Sequence, residues 1–364
     1  MNKYLPVRNA WNRLKRNKGA VSGMVVIFFA VCIAIFGYWF APDHSPYANR
    51  MIVEIGGQKP GFKKQFLKIP SSQNYKPVSA FVQLIKGTPD LFQWVPINSY
   101  VLTKDSILVQ QYIDEETSLE VSYSIKKLNY ANPVDSNYIV TKTFYLGTDK
   151  YGRDILSRLL IGVRVSLSVG LITVLISLTI GVSLGAVAGY FRGRTDDIIM
   201  WFINVIWSIP TLLLVFAITL LLGKGFWQIF IAIGLTMWVN VARIVRGQIL
   251  SIRELEYVEA AKALGYSSFR ILFRHILPNI MGPVLVVAAS NFASAIVIEA
   301  GLSFLGIGVQ PPQPSWGLMI KENFNFIITH NPMLALAPGF AIMLLVLAFN
   351  LLGNGLRDAL SVKT

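Results

Sequence analysis

The sequence predicts an all-α membrane protein with six transmembrane helices and a small β-rich insertion outside the membrane, between helices 1 and 2. Hydrophobic residues make up 54% of the 364 residues and charged residues only 14%, which is too apolar for a soluble domain of this size. Apolar runs of about 20 residues recur along the chain, and each is long enough to cross a bilayer. Residues 42–145 interrupt this pattern with mixed charge and several prolines.

A basic segment, residues 1–20, opens the chain. It carries Lys3, Arg8, Arg13, Lys15, Arg16 and Lys18 and no acidic residue. Because positive charge beside a membrane span favours the cytoplasmic side, we expect this segment in the cytoplasm. Residues 21–41 then predict transmembrane helix 1. This run is longer than the apolar part of a signal peptide and no clear small-residue cleavage site follows it, so we expect an uncleaved span.

Residues 42–145 predict an insertion outside the membrane. Apolar and polar residues alternate over 106–113 and again over 119–125, which is typical of half-buried strands. A disordered linker is the alternative interpretation, but the alternation favours burial on a small sheet. The insertion shows no recognisable chemistry.

Residues 146–364 predict a membrane core that holds helices 2 to 6 and ends in the cytoplasm. The expected spans are 167–189, 196–222 with a kink at Pro210, 226–245, 278–298 and 335–352. Within the first of them, Gly181, Gly185 and Gly189 recur every four residues. Such a stripe predicts close packing of this helix against another.

Loop 251–278 separates the fourth and fifth predicted spans and is polar, basic and helix-forming. We expect two short helices joined by a glycine turn. The residues that predict the boundaries are Ser251 and Glu254 as a capping box, Gly265 as a stop, Ser267 or Ser268 as a second cap, and Pro278 as the end of the second helix.

Loop 251–278 resembles the EAA loop of ABC importer permeases, which is the docking site for an ATPase subunit. The matching residues are Glu259, Ala260, Ala261, Gly265, Leu277 and Pro278. His275 departs from the aliphatic residue of the broad pattern, although His-Ile-Leu-Pro-Asn is similar to the form in peptide-type permeases. The resemblance implies that Arg270 and Arg274 add polar contacts to the partner or anchor the membrane face.

Two further segments resemble the outside signature of dipeptide and oligopeptide permeases. Their residues are Gly147, Asp149, Gly152, Arg153 and Asp154 in one, and Pro311, Pro312, Pro314 and Trp316 in the other. We expect local ion pairs and helix capping in the first segment, with its outside arginines, Arg158 and Arg164 included, also reaching lipid headgroups. Glu299, at the end of the fifth predicted span, is a candidate for the substrate path.

The resemblance covers the first span and nearly all of residues 146–360. It implies the type I ABC importer permease fold and the second-permease subunit of the dipeptide/oligopeptide (peptide/nickel) importer family, in the cell inner membrane. The implied partners are a second homologous permease, two ABC ATPase subunits, an extracytoplasmic substrate-binding protein and a peptide substrate. Nickel or another small solute is the alternative cargo.

The motifs that are missing limit the other functions. The chain has no GxxxxGK[ST] sequence, so we expect no cofactor in this chain, with ATP and Mg used by partner ATPase subunits. No metal site, catalytic set or enzyme activity is predicted. The net charge is +14, but the basic residues flank apolar runs, which argues against nucleic acid. A secondary transporter or channel, or a membrane-anchored binding protein, remains an alternative.

Overall fold

The computed structural model of the chain describes residues 5–71, 79–125, 128, 138–223, 225–329 and 331–360. The chain divides into two compact units. Unit 1 contains Met1–Val31, Ser166–Gln310 and Ile342–Thr364, and unit 2 contains Cys32–Val165 and Pro311–Ala341. Each unit is described by itself.

The described helices are α1 (Leu5–Arg16), α2 (Lys18–Phe40), α3 (Ala80–Lys86), α4 (Ile155–Phe191), α5 (Gly193–Trp207), α6 (Thr211–Leu222), α7 (Phe226–Ile252), α8 (Glu256–Ala263), α9 (Ser268–Ile271), α10 (Leu277–Leu305), α11 (Trp316–Asn323), α12 (Phe326–Thr329) and α13 (Met333–Leu360). The strands are β1 (Phe62–Pro70), β2 (Phe92–Leu102), β3 (Ser106–Tyr112), β4 (Ser118–Ser124) and β5 (Ile139–Phe144).

Five helical segments in the described residues are long and apolar enough to cross a membrane, or six if a bent pair counts as one span. The bent pair is α5 and α6, whose axes differ by 91°. Pro210 lies directly before α6 and has no backbone N–H to continue a helix. The predicted position of the kink at Pro210 is confirmed, and the bend of 91° is sharper than a kink within one continuous helix. The predicted all-helical membrane fold is confirmed.

In unit 1, α4 and α7 pack with their backbones close together. A Cβ atom at Gly181 would lie 2.7 Å from the carbonyl oxygen of Trp238, and one at Gly185 would lie 2.5 Å from that of Ala242. Gly189 lies against Arg246 in the same way. The predicted packing role of the glycine stripe is confirmed, since only glycine permits this approach.

The first and last helices of unit 1 meet at one end. The Asn17 side-chain amide donates to the carboxylate of Asp358 at 3.2 Å, and Leu14, Ala20 and Ala359 are buried together. The start of α10 lies at the same end, because Gly282 is within van der Waals reach of Leu360. Loop 251–278 and both ends of the described chain therefore lie on one side of this bundle.

Unit 2 contains a five-stranded sheet in the order β4-β3-β2-β1-β5, with every neighbouring pair antiparallel. Side chains alternate between its two faces, since successive residues of a strand point to opposite sides. Leu67, Val95, Ile97, Ile107 and Val109 are buried together in one cluster, while Phe66, Tyr112 and Phe144 belong to another. The predicted β-rich insertion is confirmed, and both strands expected from alternation are present.

Candidate functional site

Loop 251–278 folds as a helix, a tight turn and a second helix. The first helix, α8, ends at a turn in which Tyr266 N–H donates to the Ala261 carbonyl at 3.2 Å and Gly265 N–H donates to the Lys262 carbonyl at 2.9 Å. Gly265 has a φ of +75°, a conformation that glycine adopts without strain. The predicted role of Gly265 as the helix stop is confirmed.

The predicted start of the first helix is wrong. Ser251 lies in the last turn of α7, where its hydroxyl donates to the Gly247 carbonyl at 3.4 Å. The helix begins instead at Glu256, after Leu255, with no side-chain cap. Since the span continues to Ile252, no room is left for a capping box at Ser251. The second cap is confirmed at Ser267, whose Oγ accepts from the backbone N–H of Arg270.

The second helix does not end before Pro278, and this prediction is also wrong. α9 continues through a wider π-helical turn, Leu272–Ile276, into α10, so one helical run extends from Ser268 to Leu305. Leu277 N–H donates to the carbonyl of Leu272, five residues back. Pro278 sits in the first turn of α10, where a missing N–H is tolerated.

The inner face of loop 251–278 is packed into the core of unit 1. Val258 is completely buried and Ala261 is 5% exposed, within a cluster that includes Val245 and Ile249 of α7 and Ile276 at the start of the fifth span. A displacement of α8 is therefore transmitted directly to the helices on either side of the loop, since close-packed interiors transmit strain.

The outer face of the loop is exposed and carries most of the predicted residues. Glu259, Ala260, Gly265, Arg270, Arg274 and Pro278 are exposed, Leu277 is half-buried and Ala261 is buried. The Arg270 guanidinium lies 4.4 Å from the centre of the Tyr266 ring, which holds it beside the glycine turn. The EAA residues therefore divide between an outer surface and an anchor in the core.

The sequence did not assign to a site the three large apolar side chains that are most exposed on this loop. Leu264 is 72% exposed, Phe269 71% and Phe273 53%, and the two phenylalanine rings lie 4.3 Å apart. We call Leu264, Phe269 and Phe273 the apolar ridge. Apolar side chains that are exposed on one loop among charged residues mark a surface that binds another protein.

In unit 2, the first signature segment and α11, the helix that Trp316 begins, come together around two buried arginines. Arg153 and Arg158 are each 1% exposed. The Arg153 guanidinium forms ion pairs with the carboxylates of Asp149 and Glu322, with N–O distances of 2.6 Å in both. The Arg158 guanidinium lies 3.7 Å from the Glu322 carboxylate. Local pairing is confirmed, whereas the expected reach of these two arginines to lipid headgroups is wrong. The sequence did not identify Glu322, which is 169 residues from Arg153 along the chain.

Glycines allow the first signature segment to fold tightly. Gly147 and Gly152 have φ values of +80° and +73°, and a Cβ atom at Gly152 would lie 1.7 Å from the carbonyl oxygen of Ile52. Asp154 caps α4 by accepting from the backbone N–H of Ser157 at 2.8 Å, as predicted for an acid at a helix start.

The second signature segment ends at Trp316, which begins α11. Its indole N–H donates to the Leu159 carbonyl at 3.0 Å, and Pro314 is buried beside it. Pro311 and Pro312 are exposed. Arg164 binds the backbone carbonyls of Ala34 and Leu84 instead of lipid headgroups.

A cavity of about 520 Å³ lies within unit 1. It is lined from α7 by Thr236 and Asn240, from α10 by Asn291 and Ser294, and from α13 by Asn350, with apolar residues between them. Among the described residues no ionisable side chain lines it. Asn291 is 6% exposed, and its amide nitrogen has no acceptor in the described part of the chain.

Glu299 is not one of the residues that line this cavity. α10 continues past it to Leu305, so it does not end the span as expected. Glu299 is 1% exposed and accepts from the Ser303 hydroxyl at 2.6 Å, which in turn accepts from Val309 N–H at 3.0 Å. This geometry favours a structural role for Glu299 in the turn after α10, and its place on the substrate path stays a prediction.

Comparison with known proteins identifies two family models. Residues 181–364 match the model described as binding-protein-dependent transport system inner membrane component. Residues 6–56 match the model described as N-terminal TM domain of oligopeptide transport permease C.

Three relatives illustrate the similarity. The chain is 43% identical to the glutathione transport system permease protein GsiD of Pectobacterium atrosepticum, over 60% of this chain and 72% of the relative. It is 42% identical to the oligopeptide transport system permease protein OppC of Bacillus subtilis, over 61% and 73%. It is 38% identical to the dipeptide transport system permease protein DppC of Alkalihalophilus pseudofirmus, over 81% and 93%.

Among solved structures, the MetNI methionine ABC transporter aligns with 56% of this chain and 97% of its own. The TM-score is 0.48 and the sequence identity 17%.

Proposed function

We propose that this chain, which belongs to the family of binding-protein-dependent transport system inner membrane components, moves short peptides across the membrane. It is a multi-pass membrane permease of an ABC importer and not an enzyme, and it works with ATPase and substrate-binding partners. The peptide cargo is our inference. Relatives that are named for dipeptide, oligopeptide and glutathione transport support it.

The observation that carries the cargo assignment is the neutral polar lining of the cavity in unit 1. The unpartnered amide nitrogen of Asn291 can donate to a peptide carbonyl, and Asn240 and Asn350 add further amides. The described lining residues are uncharged, so they can bind the backbone amides that all peptides share without selecting a charged side chain. We therefore infer that this cavity is part of the translocation path.

The partners of this chain and the side of the membrane on which its two ends lie belong to the same proposal. The chain pairs with a second homologous permease, and one of the two ABC ATPase subunits docks on loop 251–278. These subunits hydrolyse ATP with Mg, and an extracytoplasmic protein delivers the peptide. The basic last turn of α1, with Arg13, Lys15 and Arg16, supports a cytoplasmic N-terminus. Since the last helix ends beside the first, the C-terminus then lies on the same side.

The mechanism follows from the packing of the loop. ATP-driven closure of the two ATPase subunits moves the apolar ridge and α8, whose inner face is held in the core by Val258 and Ala261. α7 and the helical run from Ser268 to Leu305 move with it. The run begins within the loop, and α7 ends where the loop begins. The cavity between these helices then opens alternately to each side of the membrane.

The test is uptake of labelled di- and oligopeptides by cells or proteoliposomes that contain the full set of partner subunits. We expect ATP-dependent uptake by the wild type, reduced about tenfold by Asn291→Leu, because the substitution removes the donor that peptide carbonyls use. Gly339→Ala is the control, since a Cβ there meets no atom within 4 Å. Absence of peptide uptake, or full uptake by Asn291→Leu, would contradict the assignment.

A further inference from the structure

Unit 2 contains a second cavity, of about 370 Å³, beside strand β5. Four charged residues line it, Asp43, Arg50, Lys142 and Asp154, together with apolar side chains such as Ile52. Its volume is within the range of roughly 300–1,000 Å³ that small-molecule sites occupy. The transport mechanism proposed above makes no use of this cavity.

Two of the four charges are already paired. Asp43 accepts from the backbone N–H and the hydroxyl of Ser45, at 3.0 and 2.9 Å, and lies 3.4 Å from the Arg50 guanidinium. Arg50 also bonds the carboxylate of Asp90. Asp43 and Arg50 therefore shape one wall of the cavity without requiring a ligand.

Only one of the two carboxylate oxygens of Asp154 accepts hydrogen bonds in the described part of the chain. One carboxylate oxygen, Oδ2, accepts from the backbone N–H of Ser157 at 2.8 Å and from its hydroxyl. The other, Oδ1, is buried and has no donor in the part of the chain that the structure describes. The residue is 4% exposed. A buried carboxylate oxygen without a donor is unfavourable, so a ligand that donates a hydrogen bond to it binds more tightly.

Lys142 is the opposite charge on the same cavity. Its ammonium lies 4.2 Å from the centre of the Trp94 ring, and no described carboxylate is within 4.0 Å of it. Burial, and then the nearby Arg50, lower the pKa of Lys142 to about 8, and burial raises the pKa of Asp154. The largest cause of both shifts is burial, which disfavours the charged form of each group.

We propose that this cavity binds an amino-acid zwitterion, with the ligand ammonium on Asp154 Oδ1 and the ligand carboxylate on Lys142. A simple anion would also face Asp154, and a simple cation would also face Lys142. A ligand with both charges satisfies both groups at once. A free α-amino acid and the ends of a short peptide share this chemistry. The peptide as source rests on the proposed function, whereas the free amino acid does not.

The test is calorimetric titration of the full chain in lipid nanodiscs with L-alanine and with the dipeptide Ala-Ala. N-acetylated and C-amidated Ala-Ala each lack one of the two charges. We expect the wild type to bind the zwitterions and to bind each blocked form about tenfold or more weakly. The tighter of L-alanine and Ala-Ala identifies the source.

Two variants assign the contacts. Lys142→Met should bind Ala-Ala about tenfold more weakly and lose its preference over the amide, because the carboxylate has lost its partner. Asp154→Asn keeps an oxygen for the bond from Ser157 and should lose the preference over the acetylated form. Lys64→Met is the matched control, since Lys64 lies opposite Lys142 in the sheet and its ammonium donates to Asn98 at 2.6 Å.

Three results would overturn the inference: equal binding of zwitterionic and blocked ligands by the wild type, wild-type binding by Lys142→Met, or an equal loss in Lys64→Met. ATP-driven uptake, measured separately in the assembled transporter, distinguishes the two proposals. Peptide uptake without zwitterion binding at this cavity overturns only the present inference. Binding that depends on Lys142, in a transporter that takes up no peptide, supports this site and contradicts the proposed function.

Discussion

Replacement of Glu322 by alanine is expected to lower the free energy of unfolding by about 3–5 kcal/mol, because it leaves a buried charge without its partner. Glu322 lies 2.6 Å from Arg153 and 3.7 Å from Arg158, and both arginines are 1% exposed. Without Glu322, Asp149 is the carboxylate that remains beside these two guanidinium groups. Thermal unfolding of the full chain in detergent measures the loss.

Glu254→Ala is the matched control, since Glu254 also pairs with an arginine, Arg192, but at an exposed site. This variant should unfold like the wild type. A double variant, Glu322→Ala with Arg153→Met, should lose less stability than the sum of the two single variants, because the charge is removed together with its partner. Equal melting of the Glu322 and Glu254 variants would contradict a role for the buried pairs.

Gly265→Val is expected to reduce ATP-driven uptake by at least about tenfold while membrane insertion persists. The φ of Gly265 is +75°, a conformation that costs a residue with a side chain about 1–2 kcal/mol and is least accessible to β-branched residues. A Cβ atom there meets nothing within 4 Å, so the effect arises from the turn and not from a clash. When the turn changes, Phe269 and Phe273 of the apolar ridge move relative to Leu264 and α8, and the movement of the ATPase subunit is no longer transmitted.

Two further variants separate turn geometry from general damage. Gly265→Asn should keep most uptake, because asparagine tolerates a left-handed conformation. Gly247→Ala also meets no neighbour within 4 Å but lies inside α7, and it should transport normally. Uptake and ATP hydrolysis are measured on the same preparation. Wild-type uptake by Gly265→Val would refute the role of this turn in coupling.

The sequence predicts those parts of the fold that depend on local chemistry. Apolar run length locates the spans, alternation locates β3 and β4, and the conformational freedom of glycine locates the turn at Gly265. The stripe at Gly181 and Gly185 predicts close packing without naming α7 as its partner. In each case the physical cause lies within a few residues of the pattern.

The features that were missed or mispredicted depend on tertiary contacts or on the geometry of a break. Glu322 meets Arg153 across 169 residues, and no local pattern specifies that pairing. Pro210 predicts a disturbed helix but not a 91° break, and Pro278 is accommodated by a π turn instead of ending its helix. Asn291 lies in an apolar span, and the sequence does not show that residues from other helices form a cavity with it.

Cysteine cross-linking tests most directly whether loop 251–278 binds an ATPase subunit. In a Cys32→Ala background, Phe269→Cys places a thiol on the apolar ridge, where the native side chain is 71% exposed. Phe81→Cys in α3, where the native side chain is 68% exposed, is the control on the insertion. Both variants are studied in the assembled transporter, with and without a membrane-impermeant thiol reagent added from outside.

We predict that the thiol at 269 cross-links to an ATPase subunit and is protected from the outside reagent. The thiol at 81 should react with that reagent and should not cross-link to the ATPase. Labelling of position 269 from outside intact cells, or its failure to cross-link while transport is active, would contradict the assignment of this loop as the coupling site.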